Sequence, residues 1–271
     1  MTALRQSERW RPPITQYWNT EEIPDYIGAL LQTFRECNPD LRHSVYSESG
    51  AEAFIDERFG PREVAAFRAC AVPSMQSDYF RYCSVLALGG VYADADFLCV
   101  GPLRSLIQGC TGGEIFLGPH DFRLNDREAN RVWSGLFVFR EPGHPFLRLA
   151  LEIATANIEA RIPERMWGVG ERVVESIWLT VGPGIFTLMR LMRNWGSFDA
   201  FREGLAGSPA EPFAELYCDV VGDYDRIHDV FDGVRVSSFK RMSRWVEHPD
   251  RALPYKATDV HWHNVKTQIF R

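Results

Sequence analysis

The run Ser77-Asp-Tyr-Phe-Arg-Tyr-Cys-Ser-Val-Leu-Ala-Leu-Gly-Gly-Val-Tyr-Ala-Asp-Ala-Asp96 constrains this chain more than any other segment. A helix is expected from Ser74 to Leu88, with Ser74 or Ser77 as its cap and Gly89-Gly90 as its stop. Beyond the glycines, Val91 to Cys99 alternates like a strand around Asp94 and Asp96. Two carboxylates two residues apart on an extended segment project to one side, and Ala95 between them leaves room for a ligand. Such a pair in apolar surroundings calls for a cation, and hard oxygen donors select Mg²⁺ or Mn²⁺. On the helix, Asp78 and Arg81 are three apart and share a face amid Tyr79, Phe80, Tyr82, Cys83, Val85 and Leu86. If the chain turns back at the glycines, that ion pair lies beside the two carboxylates, and Arg81 offers positive charge to a phosphate or sugar hydroxyl.

The rest of the chain reads as alternating strands and helices. Ile14–Trp18 is a strand, Thr20 can cap the helix carrying Ile27, Leu31 and Phe34 as far as Cys37, and Val45-Tyr46 ends a second strand. Helices are expected at 50–58 and 61–70, strands at Glu114–Gly118 and Val132–Phe139, and helices at Pro145–Ile158 and Glu171–Met192, the last interrupted at Gly182-Pro183-Gly184. This order favours a single α/β domain with a largely parallel sheet, whose ligands gather at the carboxyl ends of the strands. The portion from about 200 onward, with 212–250 rich in Pro, Asp and Arg, is the least readable.

Charge narrows the partners. With 30 Lys+Arg against 36 Asp+Glu the net charge is −6, and no basic run offers the face that a nucleic-acid polymer needs. A chain of 271 residues with 45% apolar content can bury roughly three quarters of its surface without staples. The six cysteines (Cys37, Cys70, Cys83, Cys99, Cys110 and Cys218) form no CxxC pair, which fits reduced core thiols in a cytosol. The first residues lack the apolar core of a signal peptide, and Val85–Ala93, the longest apolar stretch, falls far short of the roughly 20 residues of a membrane span. The expected location is cytoplasmic, with peripheral attachment at the inner membrane face left open.

The run ending at Asp96 resembles the D-x-x-R…G-G-x-Y-x-D-x-D signature of glycosyltransferases with a DXD sugar-binding region, the group of the fungal initiation mannosyltransferases. The same order resembles the core of the large clostridial glucosylating toxins. Pro13-Ile-Thr-Gln-Tyr-Trp18, Asn38-Pro39-Asp40, Gly143-His144-Pro145-Phe146 and Val181-Gly182-Pro183-Gly184 resemble further family segments. The resemblance implies a GT-A fold, a nucleotide-diphospho-sugar donor carrying UDP or GDP, and retention of anomeric configuration. It implies that Asp96 binds Mn²⁺ or Mg²⁺ directly, that Asp94 contacts metal and ribose, and that Asp78 and Arg81 hold the donor sugar. Tyr92 would pack nearby, Trp18 would stack on the base, and Gln16 and Gly90 complete the donor-binding set. Thr15 and Ser134 stand where the family commonly has His and Asn. Thr258-Asp-Val-His-Trp-His-Asn264 resembles its late H-H-W-x-x-S-W element without the final Ser-Trp. If extended, Asp259, His261 and His263 share one face, and His261 is the expected third metal ligand or diphosphate contact.

These features point to metal-dependent sugar transfer onto a glycan, glycolipid or protein, in cell-surface or capsular polysaccharide synthesis. A non-catalytic nucleotide-sugar-binding module and a protein-modifying effector remain alternatives. A dehalogenase-type phosphatase also uses D-x-D, but Leu98 stands where that motif needs Thr or Val.

Overall fold

The computed structural model of the protein describes residues 12–124, 127–167, 173–186, 233–249, 253–258, 261, 264–265 and 268–271. β1 (Ile14–Tyr17) leads through α1 (Asp25–Cys37) to β2 (His43–Tyr46), which pairs with β1 in parallel. α2 (Glu48–Arg58), α3 (Pro61–Ala69) and α4 (Pro73–Leu88) follow, and α4 feeds β3 (Gly90–Ala93). β3 lies on the opposite side of β1 from β2, again in parallel, with Ile14 opposite Val91. The strand order β2-β1-β3 therefore reverses direction at β1, and crevices that bind ligands open at the carboxyl ends of strands at such reversals.

After β4 (Leu98–Cys99) and α5 (Arg104–Gly109), the hairpin of β5 (Gly113–Leu124) and β6 (Arg127–Phe139) extends the sheet. α6 (Pro145–Glu159), α7 (Ile162–Trp167), α8 (Val173–Thr180) and β7 (Val234–Ser238) come next. A short helix, Phe239–Met242, then leads to β8 (Val246–Glu247), which pairs with β4. Among the described residues the main sheet runs β2-β1-β3-β6-β5-β7, with parallel pairing for β1/β2, β1/β3 and β5/β7. The α/β architecture with a mostly parallel sheet is thus present, consistent with the GT-A expectation. No helix among the described residues is long and apolar enough to cross a membrane.

Strand alternation builds two cores. Tyr17, Tyr92, Ile115, Phe137 and Phe139 point to one face, where α2, α3, α4 and α6 cover them. Ile14, Val91, Ala93, Phe116, Leu136 and Val138 point to the other, against Phe34 of α1 and Leu106 and Ile107 of α5. The period of two in β3 and β6 is the direct cause of this layering. α4 is buried nearly all round, and truncating a residue such as Phe80 to Ala would cost about 3–5 kcal/mol.

Several local expectations change. α4 begins at Pro73 with Val72 as its N-cap and no side-chain cap: the proline's fixed φ starts the helix and it has no N–H to satisfy, so Ser74 and Ser77 fall inside the helix instead of capping it. Thr20 does not cap α1, which starts later, at Asp25; its hydroxyl donates instead to the Glu22 carbonyl. Gly182-Pro183-Gly184 does interrupt the helix after Thr180, but the continuation from 187 to Met192 lies outside the described residues. Cys37, Cys70, Cys83, Cys99 and Cys110 are all free thiols, while Cys218 lies outside the described residues.

Candidate active site

α4 ends where Gly89 turns the chain at φ +63° and donates its N–H to the Val85 carbonyl at 2.8 Å. Gly90 follows at φ +82°, and any Cβ there would collide with the Pro13 carbonyl, so only glycine lets β3 start this close to β1. This tight reversal brings Asp78 and Arg81 beside the end of β3. One nitrogen of Arg81, Nη2, donates to Asp78 Oδ1 at 2.7 Å and to Asp94 Oδ1 at 3.0 Å. The guanidinium, only 2% exposed, lies between the rings of Tyr92 and Phe137, 5.1 and 4.9 Å from their centroids. Its Nε and Nη1 are buried and have no hydrogen-bond partner among the described residues. The Tyr92 hydroxyl pairs with Ser77 Oγ at 2.6 Å, which fixes the ring beneath the guanidinium.

The extended reading of Val91–Cys99 is corrected here. β3 pairing stops at Ala93, and Asp94-Ala95-Asp96-Phe97 is a turn closed by Phe97 N–H donating to the Asp94 carbonyl at 3.2 Å. The carboxylates consequently part. Asp94 meets Arg81, whereas Oδ2 of Asp96 accepts from the Tyr255 hydroxyl at 2.7 Å and lies 3.0 Å from Lys256 Nζ and 3.3 Å from His248 Nε2. Phe97 and Ala95 are nevertheless buried, which is why the turn kept a strand-like hydrophobic pattern.

Neighbouring strands hold the turn from behind. The Asp94 N–H donates to the Gly135 carbonyl of β6 at 2.8 Å, and a Cβ on Gly135 would run into Asp94 Oδ2 and the Phe97 ring. From β1, Gln16 Nε2 donates to the Asp94 carbonyl at 3.2 Å, and Gln16 Oε1 lies 2.6 Å from Nε2 of His43. Arg35 Nε donates to the other ring nitrogen, Nδ1, so His43 carries its proton on Nε2 and donates that N–H to Gln16 Oε1. Gln16, fully buried, is therefore a backbone support for Asp94. Trp18 is half-buried at the carboxyl end of β1, with Tyr255 edge-on at 5.5 Å and its indole N–H without a partner among the described residues.

The electrostatics divide the three acids. Burial raises the Asp78 carboxyl to about 6 despite the pull of Arg81. Burial also raises Asp94, again opposed by Arg81 and reinforced by the charge of Asp96. Burial pushes on Asp96 in the same direction, but the His248 hydrogen bond and the Lys256 charge overcome it and hold this carboxyl well below its usual range. Asp94 keeps 25% of its side-chain surface and Asp96 13%, so a solute can reach both. Three carboxylates here face two permanent cations, Arg81 and Lys256.

Such a donor set suits a hard divalent ion: Asp94 and Asp96 would hold it, and the surplus negative charge favours its arrival. Among the described residues no group of three or more His, Cys, Asp or Glu side chains closes on one point. His261 packs its ring against Tyr255 at 5.6 Å, and burial and the Lys256 charge lower its pKa to about 4. Asp259 and His263 lie outside the described residues. Sequence reasoning did not find His248, Tyr255, Lys256, His43 or Gly135. A cavity of about 750 Å³ lined by Asn19, Glu21, Glu48, Glu52 and Arg68 lies to one side and contains none of the motif residues.

Comparison with known proteins finds similar sequences. Residues 24–111 match the family described as "Glycosyltransferase sugar-binding region containing DXD motif", so that region is present in this chain. The chain is 28% identical to the initiation-specific alpha-1,6-mannosyltransferase of Schizosaccharomyces pombe, over 63% of this chain and 46% of that protein. It is 31% identical to the Candida albicans protein of the same name, over 67% of this chain and 52% of the relative. The chain thus spans about half the length of the curated relatives it matches. The PaToxG glycosyltransferase structure aligns over 91% of this chain and 95% of its own, at 17% identity and a TM-score of 0.44.

Proposed function

From a chain that carries a DXD sugar-binding region, we propose a metal-dependent glycosyltransferase of GT-A type. It would move a hexose from a nucleotide-diphospho-sugar to a saccharide, glycolipid or protein acceptor with retention of configuration. The observation that carries this reading is that Arg81 joins Asp78 to Asp94 at the strand reversal between β1 and β3, with Asp96 two residues further along the same turn and Trp18 just past the end of the adjacent strand. The printed names of the fungal relatives favour a mannose donor, hence GDP-mannose first among the candidates.

In this reading Trp18 offers an apolar ring to the base, worth about 1–3 kcal/mol by stacking. Arg81, covered between Tyr92 and Phe137, would serve the donor by holding the Asp78 and Asp94 carboxylates in position and balancing their charge. Burial disfavours the charge on Asp78 and Asp94 and Arg81 only partly offsets this, so both carboxylates gain from a cation or a hydroxyl donor brought by the ligand. A divalent ion held by Asp94 and Asp96 would supply Lewis acidity toward the departing diphosphate.

The test is incubation with Mn²⁺ and a panel of UDP- and GDP-sugars, read as nucleoside diphosphate released. Release with one donor is expected. Release with none, together with a donor-induced rise in melting temperature, would establish the non-catalytic binding module instead.

A further inference from the structure

The proposed ion and a side chain of the same protein claim one carboxylate. Lys256 Nζ rests 3.0 Å from Asp96 Oδ2, and Tyr255, one residue earlier on the 3₁₀ turn Pro254–Ala257, donates to that same oxygen at 2.7 Å. The placement is built. Asn264 Nδ2 ties the turn by donating to the carbonyls of Lys256 and Thr258 at 2.9 and 3.0 Å, and the side chains of Lys256 and Asp96 are each only 13% exposed. Tyr255 also lays its ring edge-on against Trp18.

An ammonium at 3.0 Å from a carboxylate oxygen is a complete counter-charge for it. A divalent ion taking the same carboxylate by direct coordination would stand within a few ångströms of that ammonium, where like charges repel strongly in a poorly hydrated setting. The two cations are therefore alternatives at Asp96.

We infer that Lys256 is the resident cation of the DXD motif, which holds Asp96 in place until the metal arrives and must release it for the metal to bind. Metal affinity is set by this competition, so Lys256 determines the ion concentration at which the site loads. The inference rests on Asp96 being the ligand of the ion.

The experiment measures Mn²⁺ alone, by loss of the free-ion electron paramagnetic resonance signal, on the full chain as wild type, Lys256→Met and Asp96→Asn. Lys256→Met is expected to bind Mn²⁺ at least tenfold more tightly than wild type, and Asp96→Asn to lose binding. A second measurement needs no variant: amine acetylation of the wild-type protein, read by mass spectrometry, should label Lys256 several-fold faster with saturating Mn²⁺ than without. If wild type and Lys256→Met bind equally while Asp96→Asn does not, or if Mn²⁺ leaves Lys256 labelling unchanged, the metal assignment stands and the competition is overturned. If neither wild type nor Lys256→Met binds Mn²⁺, the metal assignment itself fails and carries this inference with it.

Discussion

Asp96 and Tyr255 are 159 residues apart in the chain and share a hydrogen bond of 2.7 Å. The second carboxylate of the DXD motif is thus bound to a C-terminal segment before any ligand is considered. Replacing it should separate function from folding. Asp96→Asn keeps an oxygen for the Tyr255 hydroxyl but removes the counter-charge of the partly covered Lys256, which should cost about 1.5–3 kcal/mol in chemical denaturation. Release of nucleoside diphosphate from the donor should vanish. Turnover at wild-type rate in a folded Asp96→Asn protein would end the DXD assignment.

Arg81 cannot be exchanged for the other basic residue. Its planar head bridges Asp78 and Asp94 between two aromatic faces, and a lysine supplies a point charge with no such plane. Arg81→Lys should weaken donor binding about tenfold or more, equivalent to ~1.4 kcal/mol. Titration calorimetry with the nucleotide sugar checks this, and unaltered affinity would remove Arg81 from the donor site.

Gly135 limits how near β6 lies to the motif turn. Gly135→Ala would push a methyl group into the Asp94 carboxylate and the Phe97 ring, an overpacking expected to cost about 1–3 kcal/mol. Donor affinity should fall with it, since Asp94 must give way. A melting temperature equal to wild type would show that the turn absorbs the methyl group without strain.

His43 should make the support of Asp94 sensitive to acid. Burial, and then the Arg35 charge, lower its pKa to about 4, against about 6.5 in the unfolded chain. The folded state thus binds fewer protons, so the stabilisation is complete above about pH 6.5 and is lost as pH falls through 6.5 toward 4. The limiting slope for one proton is about 1.4 kcal/mol per pH unit. Denaturation of wild type and His43→Gln across that window checks it: the wild-type curve should fall more steeply, and parallel curves would refute the assignment.

The reversal at Gly89-Gly90 was legible because its causes are local: an apolar helix, two glycines and an alternating strand. The turn at Asp94–Phe97 was not, since Ala95 and Phe97 are buried as they would be in a strand and only the end of pairing at Ala93 distinguishes the two. Asp78 and Arg81 could be placed beside Asp94 from helical spacing together with the glycine stop. Lys256 and Tyr255 could not be placed there, because nothing near them in sequence records a partner more than a hundred residues away. The same holds for His248, delivered by β8 pairing with β4 in the part of the chain with the weakest pattern. Ser74 was misread as a cap because Pro73 takes over the first turn.

Ten of the sixteen residues of α4 are buried, whereas no residue of the turn Pro254–Ala257 is. The two sides of Asp96's surroundings therefore differ in the free energy needed to open them. Amides of α4 can exchange with solvent only through unfolding that reaches the core, while those of 254–257 can exchange through local opening. One wall of the site is as durable as the domain, and the other can yield with the rest of the protein intact.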